Sequence, residues 1–302
     1  MAVPYQTVRS SVPARLTVPR VIRSEFLKFF SLRSSWWVMI IFFALTVIFS
    51  LIMSLALGSF SGASFNQDGD PEPLDPSQII GQLNLLNLIS TPVMVLGTLI
   101  ISLLGVLVIT NEYGSGLIRS TFTAVPRRLP VVLGKVVVLI ANGVLVTYLA
   151  VLVSYLIGRI ILAPKGIDLT LFSGPAGRVF VGVPLVVVTF ALMGLMIGCL
   201  IRSTAGSIAT TVGLTFVLPA LADTFRGLLV MGQNSVSGWR RIVVYGLDLL
   251  PTSASNRLLS FEPVSAEQVG LHYGPWAGYG ILCLWLLAFA VAGLLRLMRS
   301  DA

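Results

Sequence analysis

The sequence predicts an all-α membrane protein. Six transmembrane helices follow an N-terminal amphipathic interfacial helix, and a short cytoplasmic helix interrupts them. Three observations carry this prediction. Of 302 residues, 56% are hydrophobic and only 11% charged, where an average soluble domain has about 25% charged residues. Mean hydropathy is +0.93. The apolar residues also fall into runs matching the roughly 20 residues needed to cross a hydrocarbon core about 30 Å thick. Twenty Lys and Arg, 12 Asp and Glu and one His are too few to clothe a water-facing surface of this size.

The first element is the arm, residues 1–35. From Val18 to Phe30 the apolar residues Val18, Ile22, Phe26 and Phe29 recur at helical spacing, while Arg20, Arg23, Glu25 and Lys28 fall largely elsewhere. This pattern predicts a short amphipathic helix in the headgroup layer, with Trp36 and Trp37 at the aromatic belt. The transmembrane region, 36–295, holds six runs long enough to span: Trp36–Leu57, Leu88–Thr110, Val136–Ile157, Val179–Ile201, Ser207–Phe225 and Trp276–Leu295. The third extends into a longer, tilted helix if residues 130–162 are continuous, and the fifth contains Pro219 and runs into Asp223. The first run begins only at Trp36 and ends without a small-residue cleavage pattern, so it reads as a retained span rather than a signal peptide.

Loop charge sets the sidedness. Arg9, Arg15, Arg20, Arg23, Lys28 and Arg33 in the arm, Arg119, Arg127, Arg128 and Lys135 after the second span, Arg202, and Arg296 and Arg299 in the tail, 296–302, all fall on one side. Only Glu25, Glu112 and Asp301 accompany them there. The other side carries the acidic cluster Asp68, Asp70, Glu72 and Asp75 in a loop from Gly58 to Pro76 that is expected to have little regular structure. Both termini are therefore expected in the cytoplasm, with the protein multi-pass in the plasma membrane. The net charge of +8 follows from this asymmetry, and no nucleic-acid partner is expected. In segment 226–275, the pieces Leu228–Met231 and Ile242–Leu250 are apolar but too short to cross. They either lie in the interface, re-enter the membrane partway or form an external cap.

Several chemistries lack their residues. His272 is the sole histidine, which removes histidine-based metal sites and Ser/His triads. Gly134-Lys135 is the only fragment like a phosphate loop, but Leu129 and Val136 stand where Gly and Ser or Thr are needed. Cys199 and Cys283 both sit in apolar runs, as small buried hydrophobes do. None of the six runs carries Asp, Glu, Lys or Arg near its middle, which disfavours ion coupling; Asn142 is the most notable internal polar group. A membrane domain of this kind draws its energy from elsewhere or needs none.

The passage TNEYGSGLIRSTFTAVPRRLPVVLGK, from Thr110 to Lys135, places Glu112 at a helix exit and Gly114 and Gly116 as breakers. One or two helical turns follow from Leu117 to Phe122, and Pro126 with Arg127 and Arg128 closes the segment. With the arm RSEFLKFFSLRSSWW (Arg23–Trp37), it resembles the type 2 permeases of ATP-binding cassette (ABC) transporters, particularly six-span subunits common in actinobacteria. LLPTSASNRL (Leu249–Leu258) is similar to that family's external stretch before the last span. The arm departs from the family at Phe30, where Leu or another small apolar residue is usual.

The resemblance implies a non-catalytic subunit with no cofactor of its own. ATP and Mg²⁺ would bind a separate ABC ATPase subunit, and a second permease copy, identical or a paralogue, would complete a pathway through the lipid bilayer. It assigns Glu112, Gly116, Arg119, Pro126, Arg127 and Arg128 to the segment coupled to the ATPase, and Glu25, Lys28 and Arg33 to the interfacial helix. Glu112, an acid among basic residues, is expected to pair with the arm or with the ATPase. The glycines of GLMIG, Gly194 and Gly198, form a small face suited to close helix packing. The function implied is export of a hydrophobic or amphiphilic substrate such as a drug or lipid. A membrane scaffold or sensor and an ion-coupled carrier are the competing readings.

Overall fold

The structure, a computed structural model, describes residues 17–60, 64–65, 71–72, 96–116, 128–165, 175–230, 238–260 and 270–299. The chain begins with α1 (Val18–Ser31), whose start is favoured by Pro19 in its first turn. Only Leu32 separates it from α2 (Arg33–Phe60), the first span. Trp36 Nε1 donates to the Phe30 carbonyl at 3.0 Å, and the two rings lie 5.6 Å apart, which fixes the bend between the helices. Beyond α2, β1 (Ser64–Phe65) and β2 (Pro71–Glu72) form the only strand pairing among the described residues, antiparallel with Ser64 opposite Glu72. This two-residue pair is the regular structure in a loop expected to have little.

Helix α3 (Thr98–Gly114) is apolar and has 17 residues, about 25 Å at 1.5 Å per residue. The expected start of this second span, at Leu88, lies outside the described residues. Helix α4 (Arg128–Leu162) is one continuous helix of 35 residues, covering the longer alternative of residues 130–162 rather than Val136–Ile157 alone. It has no interior breaker after Pro130 in its first turn, and its exposed residues Leu145, Leu149, Leu152, Leu156 and Ile160 form an apolar stripe at helical spacing. Helix α5 (Pro175–Ile201) is central, packing against α3, α4 and three helices that follow.

Helix α6 (Thr204–Val212) is capped by the Ser203 hydroxyl, which accepts from the Gly206 N–H. A π-helical turn, Gly213–Val217, joins it to α7 (Leu218–Val230). Pro219 has no N–H to give to the preceding turn, and the wider winding just before it absorbs the resulting misfit. Together these form an apolar run from Thr204 to Leu229, longer than the expected Ser207–Phe225. Helices α8 (Trp239–Asp248) and α9 (Pro251–Leu259) precede the last span, α10 (Pro275–Arg299).

Five of these helical stretches are long and apolar enough to cross a membrane. The core is apolar, with Phe42, Ile101, Ile109, Leu139, Phe190, Met193 and Leu195 fully buried. The outward surface is apolar too, which fits a bilayer rather than water. Several hydroxyls within the spans return to their own helices: Thr46 to Phe42 at 2.8 Å, Ser54 to Ser50 at 2.7 Å, Thr189 to Leu185 at 2.7 Å. Asn142 does likewise, donating to the Val138 carbonyl at 2.8 Å.

Helices α3 and α5 make the closest approach. Gly194 lies directly on the Ser102 backbone and Gly105 on the Ala191 carbonyl, while Gly198 faces Ile109. The two helices interlock through reciprocal glycines, one from each side, so that no side chain separates their backbones.

Candidate functional site

Four charged side chains meet where α1 crosses the end of α3 and the start of α4. Glu25 lies in the middle of α1, on the face with Val21 and Phe29 that the helix buries against α4. Sequence periodicity put the apolar stripe on Val18, Ile22, Phe26 and Phe29; the packed face is instead Val21, Glu25 and Phe29, with Val18 half-exposed. The rotation is explained by Gly134. The Cβ missing there leaves room for the Glu25 side chain, whose Cγ comes within 2.9 Å of where that Cβ would be. A carboxylate buried this way needs a partner.

Its partner is Lys135, whose Nζ donates to Glu25 Oε2 at 2.8 Å, to Glu112 Oε1 at 2.8 Å and to the Val108 carbonyl at 3.3 Å. The Lys28 Nζ closes the ring, 2.8 Å from Glu25 Oε1 and 3.2 Å from Glu112 Oε1. Lys135 and Glu25 are each 3% exposed at the side chain, Glu112 10% and Lys28 42%. Two carboxylates and two ammonium groups balance, so the cluster carries no net charge into the low-dielectric interior. Burial disfavours the charge on Lys28, but its hydrogen bond to Glu25 and the fields of Glu112 and Glu25 outweigh that and raise its pKa. A raised lysine pKa keeps Lys28 charged at neutral pH, and its share of the contact is lost as pH climbs through the raised value in alkali.

The cluster borders a cavity of about 410 Å³ between α1, α3 and α4, with Phe29, Leu32, Val108 and Val138 as apolar walls. Beside it α3 stops. Ser115 N–H bonds to the Asn111 carbonyl at 3.1 Å and Gly116 N–H to the Tyr113 carbonyl at 3.3 Å. Gly116 has φ +71°, the left-handed conformation that ends helices and favours glycine.

Arg202 extends this end of the bundle. It has φ +62° between α5 and α6. Its Nη2 donates to the Arg296 carbonyl at the end of α10, at 2.9 Å, and its guanidinium lies 5.8 Å from the Tyr113 ring. The arm, the end of α3, the turn after α5 and the end of α10 are thus gathered at one end, as alternating spans require.

The structure brings Glu25, Lys28 and Glu112 of the expected site residues together. Arg33 is exposed at the first residue of α2, outside the cluster. Arg119, Pro126 and Arg127 lie outside the described residues, as does the expected short helix Leu117–Phe122, and Arg128 is placed only as the first residue of α4. The sequence places Lys135 in the loop after the second span, as a mark of sidedness and the last residue of the passage that carries the family resemblance. It is instead two turns inside α4, at the centre of the cluster. One signal was available: Glu25 and Glu112 are two of only three acids on the basic side, and a carboxylate entering an apolar helix requires a cation.

A family model described as "ABC-2 family transporter protein" matches residues 21–302. No curated protein matches the chain.

Proposed function

Because the chain belongs to the ABC-2 transporter family, and is therefore a multi-pass membrane transport component, we propose that it is the permease subunit of an ATP-driven exporter. Its substrate is hydrophobic or amphiphilic, a drug, lipid or similar molecule, carried across the plasma membrane. ATP and Mg²⁺ act on a separate ABC ATPase subunit docked at the end of the bundle that holds α1 and the segment after Gly116. A second permease copy, identical or paralogous, completes the pathway.

The observation that carries this reading is the Glu25–Lys135–Glu112–Lys28 cluster. It joins the arm to the adjoining ends of α3 and α4, so displacing any one of the three strains charge pairs shared with the others. A force applied at α1 or at residues 117–127 is thereby delivered to α3 and α4 together. Ion coupling is disfavoured in the same geometry, because the buried Lys135 ammonium group is held by carboxylates at a helix end and Asn142 is satisfied within its own helix.

The test uses inside-out vesicles and a fluorescent phospholipid or lipophilic dye as probe. ATP-dependent export is expected to fall roughly 5- to 150-fold, the effect of losing about 1–3 kcal/mol of coupling, in Glu112→Ala and in the double variant Arg127→Glu with Arg128→Glu. Membrane insertion should be unchanged and an uncoupler should have no effect. Unimpaired export by both variants removes the coupling assignment. Export abolished by the uncoupler but indifferent to ATP depletion replaces it with ion coupling. An ABC ATPase is expected to copurify.

A further inference from the structure

We propose that α8 lies in the membrane interface at the end of the bundle opposite the charge cluster, and that Arg240 and Arg241 there bind anionic phospholipid headgroups. The inference is independent of what the protein transports.

The location of α8 is fixed from its C-terminal end. Asp248 pairs with Arg226 of α7 and accepts the Leu271 N–H at 2.7 Å. The Tyr273 hydroxyl donates to the Asp248 carbonyl at 2.7 Å, and Trp285 Nε1 of α10 donates to the Leu249 carbonyl at 2.8 Å. Arg226 lies near the end of one span and Leu271 and Tyr273 just before the start of another, so the Asp248 contacts hold the end of α8 at the level where spans leave the hydrocarbon. Trp285, ten residues inside α10, ties Leu249 just below that level.

The surface of α8 is that of an interfacial helix. Val244 and Asp248 turn inward, one turn apart, while Trp239 and Ile242 are 65% and 73% exposed and Val243 is partly so. Across the same end, α7 exposes Leu221, Phe225 and Leu228 at helical spacing, so the outward apolar stripe of a span continues onto α8. The basic residues accompany aromatic rings: the Arg240 guanidinium lies 5.9 Å from the Trp239 ring centre, and Arg241 lies 5.2 Å from that of Tyr245 and bonds its hydroxyl. Aromatic rings beside cations are the composition of the headgroup layer.

Charge selects the ligand. Asp248 is the only acid on α8 and is taken by Arg226, so α8 offers its two arginines no carboxylate. A lipid phosphate supplies the missing anion, and guanidinium binds its oxygens with two parallel hydrogen bonds. A second copy of the chain suits the patch less well. A two-fold contact brings the same surface from both partners, placing four arginines together.

The experiment reconstitutes the full chain in phosphatidylcholine vesicles with and without phosphatidylglycerol, using phospholipids brominated high on their chains as quenchers. The parent is expected to show a quenched tryptophan component that Trp239→Phe lacks. It should also prefer phosphatidylglycerol at its first lipid shell, read with spin-labelled lipids, by roughly five-fold or more. That preference should fall in Arg240→Gln with Arg241→Gln to the share contributed by the basic residues at the other end of the bundle. Quenching identical in parent and Trp239→Phe overturns the interfacial placement, and equal lipid preference in parent and double variant overturns the anion site. Disulfide-linked dimers formed readily by Ile242→Cys in a Cys283→Ala background would assign the patch to a second copy instead. The quenching comparison changes no arginine, so the placement stays testable if the double variant fails to fold.

Discussion

Lys135→Met is expected to destabilise the bundle by about 3–5 kcal/mol, the effect of removing one partner from a buried ion pair. Methionine fills a similar volume, so little of this loss is cavity. What is lost is the ammonium group that stands between Glu25 and Glu112, 2.8 Å from each. Two carboxylates then face each other with only the half-exposed Lys28 to offset them. A lower thermal midpoint in detergent and a smaller monodisperse fraction measure the effect. Adding Glu25→Gln should restore part of the stability, because one carboxylate and one ammonium remain and glutamine carries no charge to bury. A parent-like midpoint in Lys135→Met, or further loss in the double variant, is incompatible with a shared charge cluster.

The fold was legible because the bilayer requires long apolar runs, and run length survives every detail of packing. The first, fourth and last spans lie within helices of about their expected extents. Ends governed by local backbone chemistry were less legible. The apolar pattern allows a continuous helix over residues 130–162 without deciding for it over Val136–Ile157, because a helix leaving the hydrocarbon need not stop. The π-turn before Pro219 lengthens a span that Pro219 and Asp223 made look short.

At the site, the sequence identified Glu112 and the arm, since an acid stands out among bases. Lys135 was hidden for the opposite reason, as one more cation among thirteen on that side. The inward turn of Glu25 was hidden too, because it depends on the missing side chain of Gly134 on another helix. Spacing along one helix cannot report what the partner helix leaves open. Gly105 illustrates the same limit: it has no second glycine four residues away to mark it, yet it meets Ala191 as closely as Gly194 meets Ser102.

Gly194→Val is expected to abolish recovery of folded protein. The Cβ alone would fall far inside contact distance of the Ser102 carbonyl oxygen and 3.2 Å from Ser102 Cα, and valine adds two methyl groups beyond it. Overpacking usually costs about 1–3 kcal/mol where side chains can shift. Here the obstacle is backbone, so α3 and α5 must separate, and Gly105 at the reciprocal contact separates with them. The loss should therefore exceed that range and approach the whole stability of a marginal protein, about 5–15 kcal/mol. Because α3 carries Glu112 at its far end, a variant that survives should also loosen the charge cluster. Gly280→Val provides the comparison, since Gly280 is on a span and has no atom within 4 Å of its would-be Cβ; its yield and thermal midpoint should stay near the parent's. Equal loss in both variants would mean that valine disrupts spans generally. Normal folding of Gly194→Val would mean that the backbones do not touch.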